Sequence, residues 1–249
     1  MTTNVFISGI SRGLGKSLAE SYLLRPHYIV IGSVRDSTTP SAQELNKLPA
    51  GTGSRLVIVS IESTSDTDVP KAVKAIEAAG VTHLDLVIAN AGICPTPGPL
   101  DALSTKDVLD AFQVNAIGTI HLFHGLKPLL EKAPSSPKWC YMSTGAASLA
   151  RLDVHQAHGV AAYGMTKAAA NFFTLAIHSA NKWLTVFAIH PGLVQTEMGN
   201  TGARMAGMEK APNTVEESTE KSIAVIDSAT RDAIGGRFIN VIDGSEFPW

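Results

Sequence analysis

The sequence predicts a doubly wound α/β fold, in which a seven-stranded parallel sheet carries helices on both faces. Apolar runs of strand length alternate with amphipathic segments of helix length along the whole chain, and this alternation is typical of successive βαβ units. The run at 84–89 is almost entirely apolar, as expected for a central parallel strand covered on both faces. A chain of 249 residues suits one such domain. We therefore expect a single domain over residues 1–249, with a substrate loop at about 197–213.

The first half of the chain supplies four of the predicted strands and two helices. The strands lie at 4–8, 28–34, 55–61 and 84–89. A helix at 14–24 follows the first strand and ends before Pro26, which cannot continue it. A second helix at 69–79 precedes Gly80, a suitable C-cap. Asn90, Ala91 and Gly92 follow the fourth strand directly, at the sheet edge where α/β proteins bind ligands.

The second half of the chain begins with a long helix that Ser104 or Thr105 caps and that runs to about residue 130. Gly118 and Pro128 favour a bend or interruption in it. A fifth strand at 138–143 precedes an almost wholly apolar helix at 163–179, and a sixth strand follows at 185–189. Residues 197–213 hold three Met, three Gly and little periodicity, which predicts a mobile loop. The predicted fold closes with a helix at 215–228 and a strand at 237–241.

Composition and charge exclude several classes of protein. A hydrophobic fraction of 45% and a charged fraction of 17% describe a globular chain. A net charge of −2 gives no broad attraction to nucleic acid or to anionic membranes. Cys94 and Cys140 are too few for a disulfide framework and lack metal-ligand spacing, so we expect two reduced thiols and no metal. Since no signal-like or membrane-spanning run is seen, we expect a cytoplasmic protein.

A glycine-rich turn lies between the first strand and the first helix. It reads Gly9-Ile10-Ser11-Arg12-Gly13-Leu14-Gly15. Glycine lets the backbone approach a pyrophosphate closely, and the helix that follows presents its N–H groups and the positive end of its dipole. By itself such a string also fits a tight strand-to-helix connection. Within a βαβ series, it predicts a Rossmann fold that binds a dinucleotide.

The end of the second strand bears on the choice of cofactor. Many NAD-binding proteins have an acidic residue about 20 positions beyond the glycine turn, whereas this chain has Arg35 at the strand end. A guanidinium can clamp a 2′-phosphate with two charge-assisted hydrogen bonds, and Arg12 offers a second positive charge. We therefore predict NADPH/NADP+ as the cofactor. Two alternatives stay open: Asp36 could reach the ribose, and Arg35 could be an ordinary solvated cation.

Tyr163 and Lys167 form a YxxxK pattern on a predicted helix. Residues four apart lie on one helical face about one turn from each other. A free phenol has a pKa near 10, and a neighbouring ammonium favours the phenolate. We therefore expect Lys167 to lower the pKa of Tyr163. The pattern alone also fits an ordinary surface pair, so its weight comes from the motifs around it.

Taken together, these motifs resemble those of the short-chain dehydrogenase/reductase family over essentially the whole chain. The carriers are the glycine turn Gly9–Gly15, Asn90-Ala91-Gly92, Asn115 in VNAIG, Tyr163 with Lys167, and Pro191-Gly192 followed by Val194 and Thr196. More narrowly, the stretches NVFISGISRGLG, HPGLVQTEMG and GRFINVIDGSEFPW resemble fungal norsolorinic acid ketoreductases and C-factor-like carbonyl reductases. The resemblance implies an NADPH-dependent reductase.

The resemblance also implies a role for each matching position. Tyr163 would protonate the carbonyl oxygen, and Lys167 would bind the nicotinamide ribose and lower the tyrosine pKa. Asn115 would hold a water of the proton relay. The remaining residues would contact the cofactor: Asn90 at the adenosine ribose, Val194 and Thr196 at the carboxamide, and with them the turn residues, Ala91, Gly92, Pro191 and Gly192. Lys127 could line the relay, although a surface lysine fits that position equally well.

The sequence departs from the family pattern at two places. A Ser-Ser pair usually follows the fifth strand, and here it reads Ser143-Thr144. Successive side chains of a strand face opposite ways, so only one hydroxyl can be catalytic, and the family register favours Thr144 over Ser143. Glu62 stands where the family commonly has an aspartate that accepts from the adenine amino group.

The reaction implied is hydride transfer to a ketone, with Tyr163 delivering the proton. We expect a pocket built from residues 91–100, 145–162 and the Met-rich loop, which favours an apolar or aromatic substrate, including polyketide types. His155 and His158 could approach that substrate, or could simply be solvated. Alternatives are an alcohol dehydrogenase that works oxidatively and a non-catalytic NADP-binding protein. A homodimer or homotetramer is the expected assembly, with no nucleic-acid or membrane partner.

Overall fold

The computed structural model describes residues 2–249 and contains the seven strands that the sequence predicts. The strands are β1 (Thr3–Ser8), β2 (Tyr28–Val34), β3 (Arg55–Ser60), β4 (Leu86–Ala89), β5 (Lys138–Met142), β6 (Thr185–His190) and β7 (Phe238–Asn240). The helices are α1 (Gly13–Leu23), α2 (Pro40–Glu44), α3 (Asp68–Ala78), α4 (Thr105–Phe112), α5 (Gly118–Leu130), α6 (Ala161–Ala180), α7 (Glu197–Met205), α8 (Val215–Ser228) and α9 (Arg231–Ile234).

The strands form one sheet in the order β3-β2-β1-β4-β5-β6-β7. β1 pairs in parallel with β2 on one side and with β4 on the other, as in the pairs Val5↔Val30 and Val5↔Leu86. The order therefore reverses between β1 and β4, and α/β sheets bind ligands beyond the carboxyl ends of the strands at such a reversal. The predicted doubly wound parallel sheet is confirmed.

The chain separates into two compact units. One comprises the residues up to Ala91 together with Ile117–Trp139, and its core is built on β1 and β4, where Phe6, Ile7 and Ile88 are fully buried. The other comprises Gly92–Ala116 and Cys140–Trp249, and its core is built on β6. All three strands are apolar at successive positions because each is covered on both faces. The single-domain organisation stays a prediction.

The predicted mobile loop at 197–213 is wrong over its first half, where α7 forms. Thr196 caps this helix by accepting a hydrogen bond from the Gly199 N–H at 3.0 Å. Gly199 indicated an irregular backbone in the sequence, but its role is spatial, since a Cβ there would overlap the Val194 carbonyl oxygen. Ala203 anchors the helix because its side chain is fully buried.

The long helix predicted to run to residue 130 is interrupted, but not at Gly118 or Pro128. A π-helical segment, Gln113–Ile117, separates α4 from α5, and α5 continues through Pro128. Such π segments occur frequently at functional sites, and this one contains Asn115. The short helices α2 and α9 were not predicted, because segments of five and four residues carry too little periodicity to detect.

Candidate active site

Tyr163 and Lys167 lie one turn apart near the start of α6. Lys167 is only 2% exposed, and its Nζ donates a hydrogen bond to the Met142 carbonyl oxygen at 2.8 Å. The same nitrogen lies 5.9 Å from the ring centroid of Tyr163, whose side chain is half-buried. A buried ammonium is unfavourable unless polar groups or ring faces surround it. The fold therefore holds Lys167 in a buried position beside Tyr163, and the two residues do not form an ordinary surface pair.

Burial dominates the electrostatics of the pair. It lowers the pKa of Lys167 to about 7, because the charged amine loses hydration. Burial also raises the pKa of Tyr163, against the opposing effect of a hydrogen bond with Thr144. The expected net lowering of the Tyr163 pKa is therefore wrong for this structure, because burial raises that pKa more than the hydrogen bond with Thr144 lowers it. A phenol that keeps its proton at neutral pH suits a proton donor.

The two adjacent hydroxyl residues after β5 have different partners. Ser143 is buried, and its Oγ donates to the Oδ1 of Asn171 at 2.7 Å. The Thr144 side chain shares a hydrogen bond with Tyr163 and accepts from the Ala146 N–H at 3.3 Å. The Ser143 hydroxyl is thus already bonded to a residue of α6, whereas the Thr144 side chain lies beside the Tyr163 phenol. This geometry favours Thr144 as the catalytic hydroxyl, in line with the family register.

Asn115 is fully buried in the π-helical segment. Its Oδ1 accepts from the Ile93 N–H and its Nδ2 donates to the Ile93 carbonyl oxygen, both at 2.8 Å. The Nδ2 also donates to Thr166 Oγ1 at 2.9 Å, and that hydroxyl donates to the Tyr163 carbonyl oxygen. Asn115 therefore joins the chain after β4 to the turn of α6 that carries Tyr163. This bonding explains an amide inside an apolar helix.

Two further residues after β4 lie close to Lys167. A Cβ on Gly92 would sit 3.0 Å from Asn115 Oδ1 and 3.3 Å from Lys167 Nζ, so the absence of a side chain makes room for both. Burial raises the pKa of the Cys94 thiol to about 11, while the charge of Lys167 lowers it. Cys94 and Cys140 are both free thiols, as expected. The proximity of Cys94 to Lys167 was not predicted from the sequence, although Cys94 lies only four residues after Asn90, a predicted site residue.

Sequence reasoning also missed three residues that support this cluster: Tyr141, Thr166 and Asn171. Each lies within four residues of a motif residue along the chain. Their contacts are made between separate elements of the fold. Position along the chain could therefore have drawn attention to them, but could not have assigned their partners.

The glycine turn adopts the conformation that a phosphate-binding loop needs. Gly9 and Gly13 have φ values of +75° and +59°, in the left-handed region that favours glycine. A Cβ on Gly15 would overlap the Gly9 carbonyl oxygen. Arg12 at the N-cap of α1 gives the helix no side-chain hydrogen bond, and the first turn holds no acidic residue. Since the N-cap side chain does not bond to the first N–H groups of α1, this end of the helix suits an anion.

The other predicted residues of the turn differ in exposure. Ile10 is fully buried against Gly32, where a Cβ would overlap its side chain. Ser11 and Arg12 are exposed, and Leu14 is half-buried. Ile10 therefore seats the turn on β2, while its two neighbours remain accessible to a ligand.

Asn90 supports the same turn from the end of β4. Its Nδ2 donates to the Ser8 carbonyl oxygen at 2.9 Å, and the backbone N–H groups of Asn90 and Ala91 both donate to Ser8 Oγ at 2.9 Å. These bonds hold the ends of β1 and β4 together. Asn90 thus stabilises the start of the glycine turn through hydrogen bonds to its backbone. The ribose contact expected of Asn90 stays a prediction.

Arg35 is exposed at the end of β2. The neighbouring Asp36 carboxylate accepts from the Thr38 N–H at 2.8 Å and from its hydroxyl at 2.6 Å. These bonds lower the pKa of Asp36 and hold its carboxylate in a local turn. The alternative in which Asp36 reaches a ribose would require this turn to open.

Two more predicted cofactor contacts have local partners. The Glu62 carboxylate accepts from the Thr64 N–H at 3.3 Å. Lys127 pairs with Glu131 on the surface of α5 at 3.2 Å, with its side chain 38% exposed. This ion pair favours a surface lysine over a relay lysine. The adenine contact of Glu62 stays a prediction.

The segment after β6 turns sharply at Pro191-Gly192. Gly192 has a φ of +87°, and a Cβ there would lie 2.5 Å from Asn213 Oδ1. Val194 is buried and Thr196 caps α7. The segment is therefore held by its own backbone contacts, while the predicted carboxamide contacts of Val194 and Thr196 stay predictions.

A small, open hollow lies beside Tyr163. It is lined by the proline-rich residues 95–99, by 102–104 and Asp107, and by 159–163. The lining matches part of the predicted pocket, and a Cβ on Gly159 would lie 3.9 Å from the Met205 Cε of α7. His155 and His158 are exposed, with the His155 ring packed over Gly145. Both apolar side chains and the polar groups of Thr96, Ser104 and Asp107 thus surround the approach to the phenol.

Helices long and apolar enough to cross a bilayer are absent from residues 2–249.

Comparisons with known proteins agree with this geometry. A family model described as short chain dehydrogenase matches residues 3–206. Short-chain dehydrogenase srdF of Neurospora crassa is 49% identical over 251 residues, which cover 100% of this chain and 98% of that protein. Norsolorinic acid ketoreductase of Aspergillus parasiticus is 36% identical over 248 residues, covering 99% and 91%. The structure of an NADPH-bound carbonyl reductase from chicken fatty liver matches with a TM-score of 0.86 at 27% identity, covering 100% and 99%. Both resemblances inferred from the motifs are confirmed.

Proposed function

We propose that this chain, which belongs to the short-chain dehydrogenase family, is an NADPH-dependent reductase of ketones in apolar or aromatic small molecules. The observation that carries the proposal is the Tyr163–Lys167 pair, with a protonated phenol that shares a hydrogen bond with Thr144 and lies one turn from a buried amine. A ketone oxygen needs a proton donor as charge develops on it. Tyr163 and Thr144 offer two hydroxyl groups to that oxygen.

The glycine turn fits the pyrophosphate of a dinucleotide. The missing Cβ atoms of Gly9 and Gly15 leave a backbone cradle, and beside it the N-cap residue of α1 gives the helix no side-chain hydrogen bond. Arg35 is exposed where a 2′-phosphate would be bound, and Arg12 is exposed at the turn. Guanidinium groups bind phosphate with charge-assisted hydrogen bonds. These residues support NADPH over NADH.

Each residue of the pair would have a distinct task in the reaction. Reduced nicotinamide, when bound, supplies the hydride that adds to the carbonyl carbon. Tyr163 gives its proton to the carbonyl oxygen, and Thr144 orients that oxygen by a hydrogen bond. Lys167 holds a positive charge that stabilises the phenolate left behind. Asn115 keeps the first turn of α6 in register through Thr166.

The substrate class is inferred from the surroundings of Tyr163. The hollow beside it is lined largely by proline, alanine, glycine, leucine and valine, and Met205 approaches its rim. Such a lining accommodates apolar rings better than charged metabolites. The relatives named norsolorinic acid ketoreductases support an aromatic, polyketide-type ketone.

Assembly and location belong to the same proposal. Phe172 and Leu109 are large apolar side chains that are 77% and 65% exposed on α6 and α4, which supports a homodimer or homotetramer. Two free cysteines are typical of proteins from a reducing compartment and support a cytoplasmic location.

The proposal is tested by following the loss of reduced nicotinamide absorbance with a panel of aromatic and aliphatic ketones. NADPH and NADH are compared at equal concentration, and the product is identified as the alcohol by mass spectrometry. We expect NADPH consumption with aromatic ketones and a slower rate with NADH. Tight NADPH binding with no consumption across the panel would instead indicate a cofactor-binding protein without reductase activity. A preference for NADH would overturn the assignment of Arg35.

A further inference from the structure

Tyr141, the fourth residue of β5, lies directly against Lys167. Its side chain is fully buried, and its ring centroid is 4.8 Å from the Lys167 Nζ. The next residue of the strand, Met142, accepts the hydrogen bond of the same nitrogen through its carbonyl oxygen. Two consecutive residues of β5 therefore bind one ammonium, one through a ring face and one through the backbone.

The contact depends on the ring of Tyr141 and not on its hydroxyl. Within residues 2–249 the buried Tyr141 hydroxyl has no hydrogen-bond partner. An unpaired buried hydroxyl is destabilising, whereas a ring face attracts a cation through its quadrupole, most strongly where both are desolvated. A phenylalanine at this position would therefore keep the interaction between the ring face and the Lys167 amine.

The other groups around Lys167 cannot replace that ring. The titratable groups that face its amine are Tyr141, Tyr163 and Cys94. Burial raises the pKa of all three, so none carries a negative charge near neutral pH. Among residues 2–249, no carboxylate forms an ion pair with Lys167. The positive charge is therefore stabilised by the Met142 carbonyl and by two ring faces, of which that of Tyr141, at 4.8 Å, is nearer than that of Tyr163, at 5.9 Å.

We infer that Tyr141 is a positioning residue for Lys167: its ring favours the charged form of the buried amine and holds that amine in place beside Tyr163. The inference deepens the proposed function, on which its consequence for catalysis rests. The contact itself is a property of the protein without cofactor or substrate. It also gives a reason for a large aromatic residue at the end of β5 with no partner for its hydroxyl.

The test is a direct titration of Lys167 by NMR in the cofactor-free protein labelled with [13C]lysine, the signal being assigned by its loss in Lys167→Met. Tyr141→Phe keeps the ring and should titrate at the same pH as the unmodified protein. Tyr141→Leu removes the ring, so the charged amine loses a stabilising contact and its titration should move about one pH unit lower. Tyr141→Met, which fills more of the volume without a ring, should move in the same direction.

Tyr22→Leu is the matched control. It removes an equally buried tyrosine from α1, whose ring stacks on Tyr28, and should leave the Lys167 titration unchanged. If Tyr141→Leu does not fold, Tyr141→Met carries the test. The inference is overturned if the Lys167 signal of the folded ring-free variants titrates at the same pH as in the unmodified protein. An equal shift in Tyr141→Phe would also overturn it, because the effect would then belong to the hydroxyl.

Because no cofactor or ketone is present in the titration, its outcome is independent of the proposed reaction. A shifted titration in a protein that reduces no ketone would sink the proposed function and leave this inference standing. An unshifted titration in an active reductase would do the reverse.

Discussion

The Lys167 ammonium donates a hydrogen bond to the carbonyl oxygen of Met142, at 2.8 Å. The acceptor is backbone, so the identity of the side chain at position 142 does not matter to this bond. The bond links the first half of α6 to the last residue of β5. Because the last four residues of β5 are buried, the bond fixes the amine relative to that strand, and several expected outcomes depend on that arrangement.

Tyr163→Phe should remove the proton donor while keeping the ring in its place. We expect kcat to fall by at least about 100-fold, the size of a typical general-acid contribution. The Kd for NADPH, measured by fluorescence titration, should stay close to the wild-type value, because the phenol acts on the substrate oxygen. Tyr28→Phe, which removes a hydroxyl that contacts Arg25, is the control and should keep full activity. Activity near wild type in Tyr163→Phe would contradict the proposed reaction.

Thr144→Val and Ser143→Ala separate the two hydroxyl groups. Thr144→Val preserves shape and removes the group that shares a hydrogen bond with Tyr163, so kcat should fall by about 10- to 100-fold. Ser143→Ala leaves the buried Asn171 Oδ1 without its donor and should cost about 1–3 kcal/mol in the free energy of unfolding, with kcat nearly unchanged. Denaturant unfolding and steady-state kinetics measure the two effects. The reverse pattern would make Ser143 the catalytic hydroxyl.

The pH dependence of kcat/KM for NADPH should report Lys167, because this ratio follows groups of the free enzyme. Burial lowers the pKa of Lys167 to about 7. An amine is charged below its pKa and neutral above it, so kcat/KM should fall as the pH rises through about 7. Lys167→Arg, which stays charged throughout, should lose this fall even if its rate is lower. A profile that stays flat up to pH 9, while the Lys167 NMR signal titrates near pH 7, would show that the charge is not needed.

Arg35→Ala should weaken NADPH binding selectively. Charge-assisted hydrogen bonds contribute about 1.5–3 kcal/mol, so we expect KM for NADPH to rise by about 10- to 100-fold and KM for NADH to change little. Arg55→Ala removes an exposed arginine that donates to the Ala79 carbonyl oxygen and serves as the charge-matched control. Equal losses for both cofactors in Arg35→Ala would contradict a 2′-phosphate contact.

Much of the fold was accessible from local sequence. The predicted bounds of β2 and α8 agree with the structure residue for residue, at Tyr28–Val34 and Val215–Ser228. Apolar periodicity and β-branched content are written into consecutive residues, so elements of this length can be read without knowing their partners. The left-handed turn at Gly9 and Gly13 could be predicted for the same reason, since only glycine adopts that backbone readily.

The helix α7 shows what cannot be predicted from local sequence alone. Thr196 was predicted only as a cofactor contact, and the structure shows that it caps α7. Gly199 weakened the helical pattern, and the need for glycine there comes from the close approach of the Val194 carbonyl oxygen. That approach is a consequence of how the chain turns after β6. Spatial reasons for glycine and conformational reasons look alike in a sequence.

By itself the sequence determined the class of fold, through the alternation of strand and helix patterns along the chain. It also determined the glycine turn and the pairing of Tyr163 with Lys167, because each of these is encoded within a few consecutive residues. The tertiary structure alone decided that Ser143 is committed to Asn171, that Tyr141 faces the lysine amine, and that the pKa of Tyr163 lies above its ordinary value. All three depend on burial and on neighbours brought together by folding. The amount of water that the surrounding elements exclude sets the pKa of a buried group, the stability of a buried charge and the strength of a hydrogen bond.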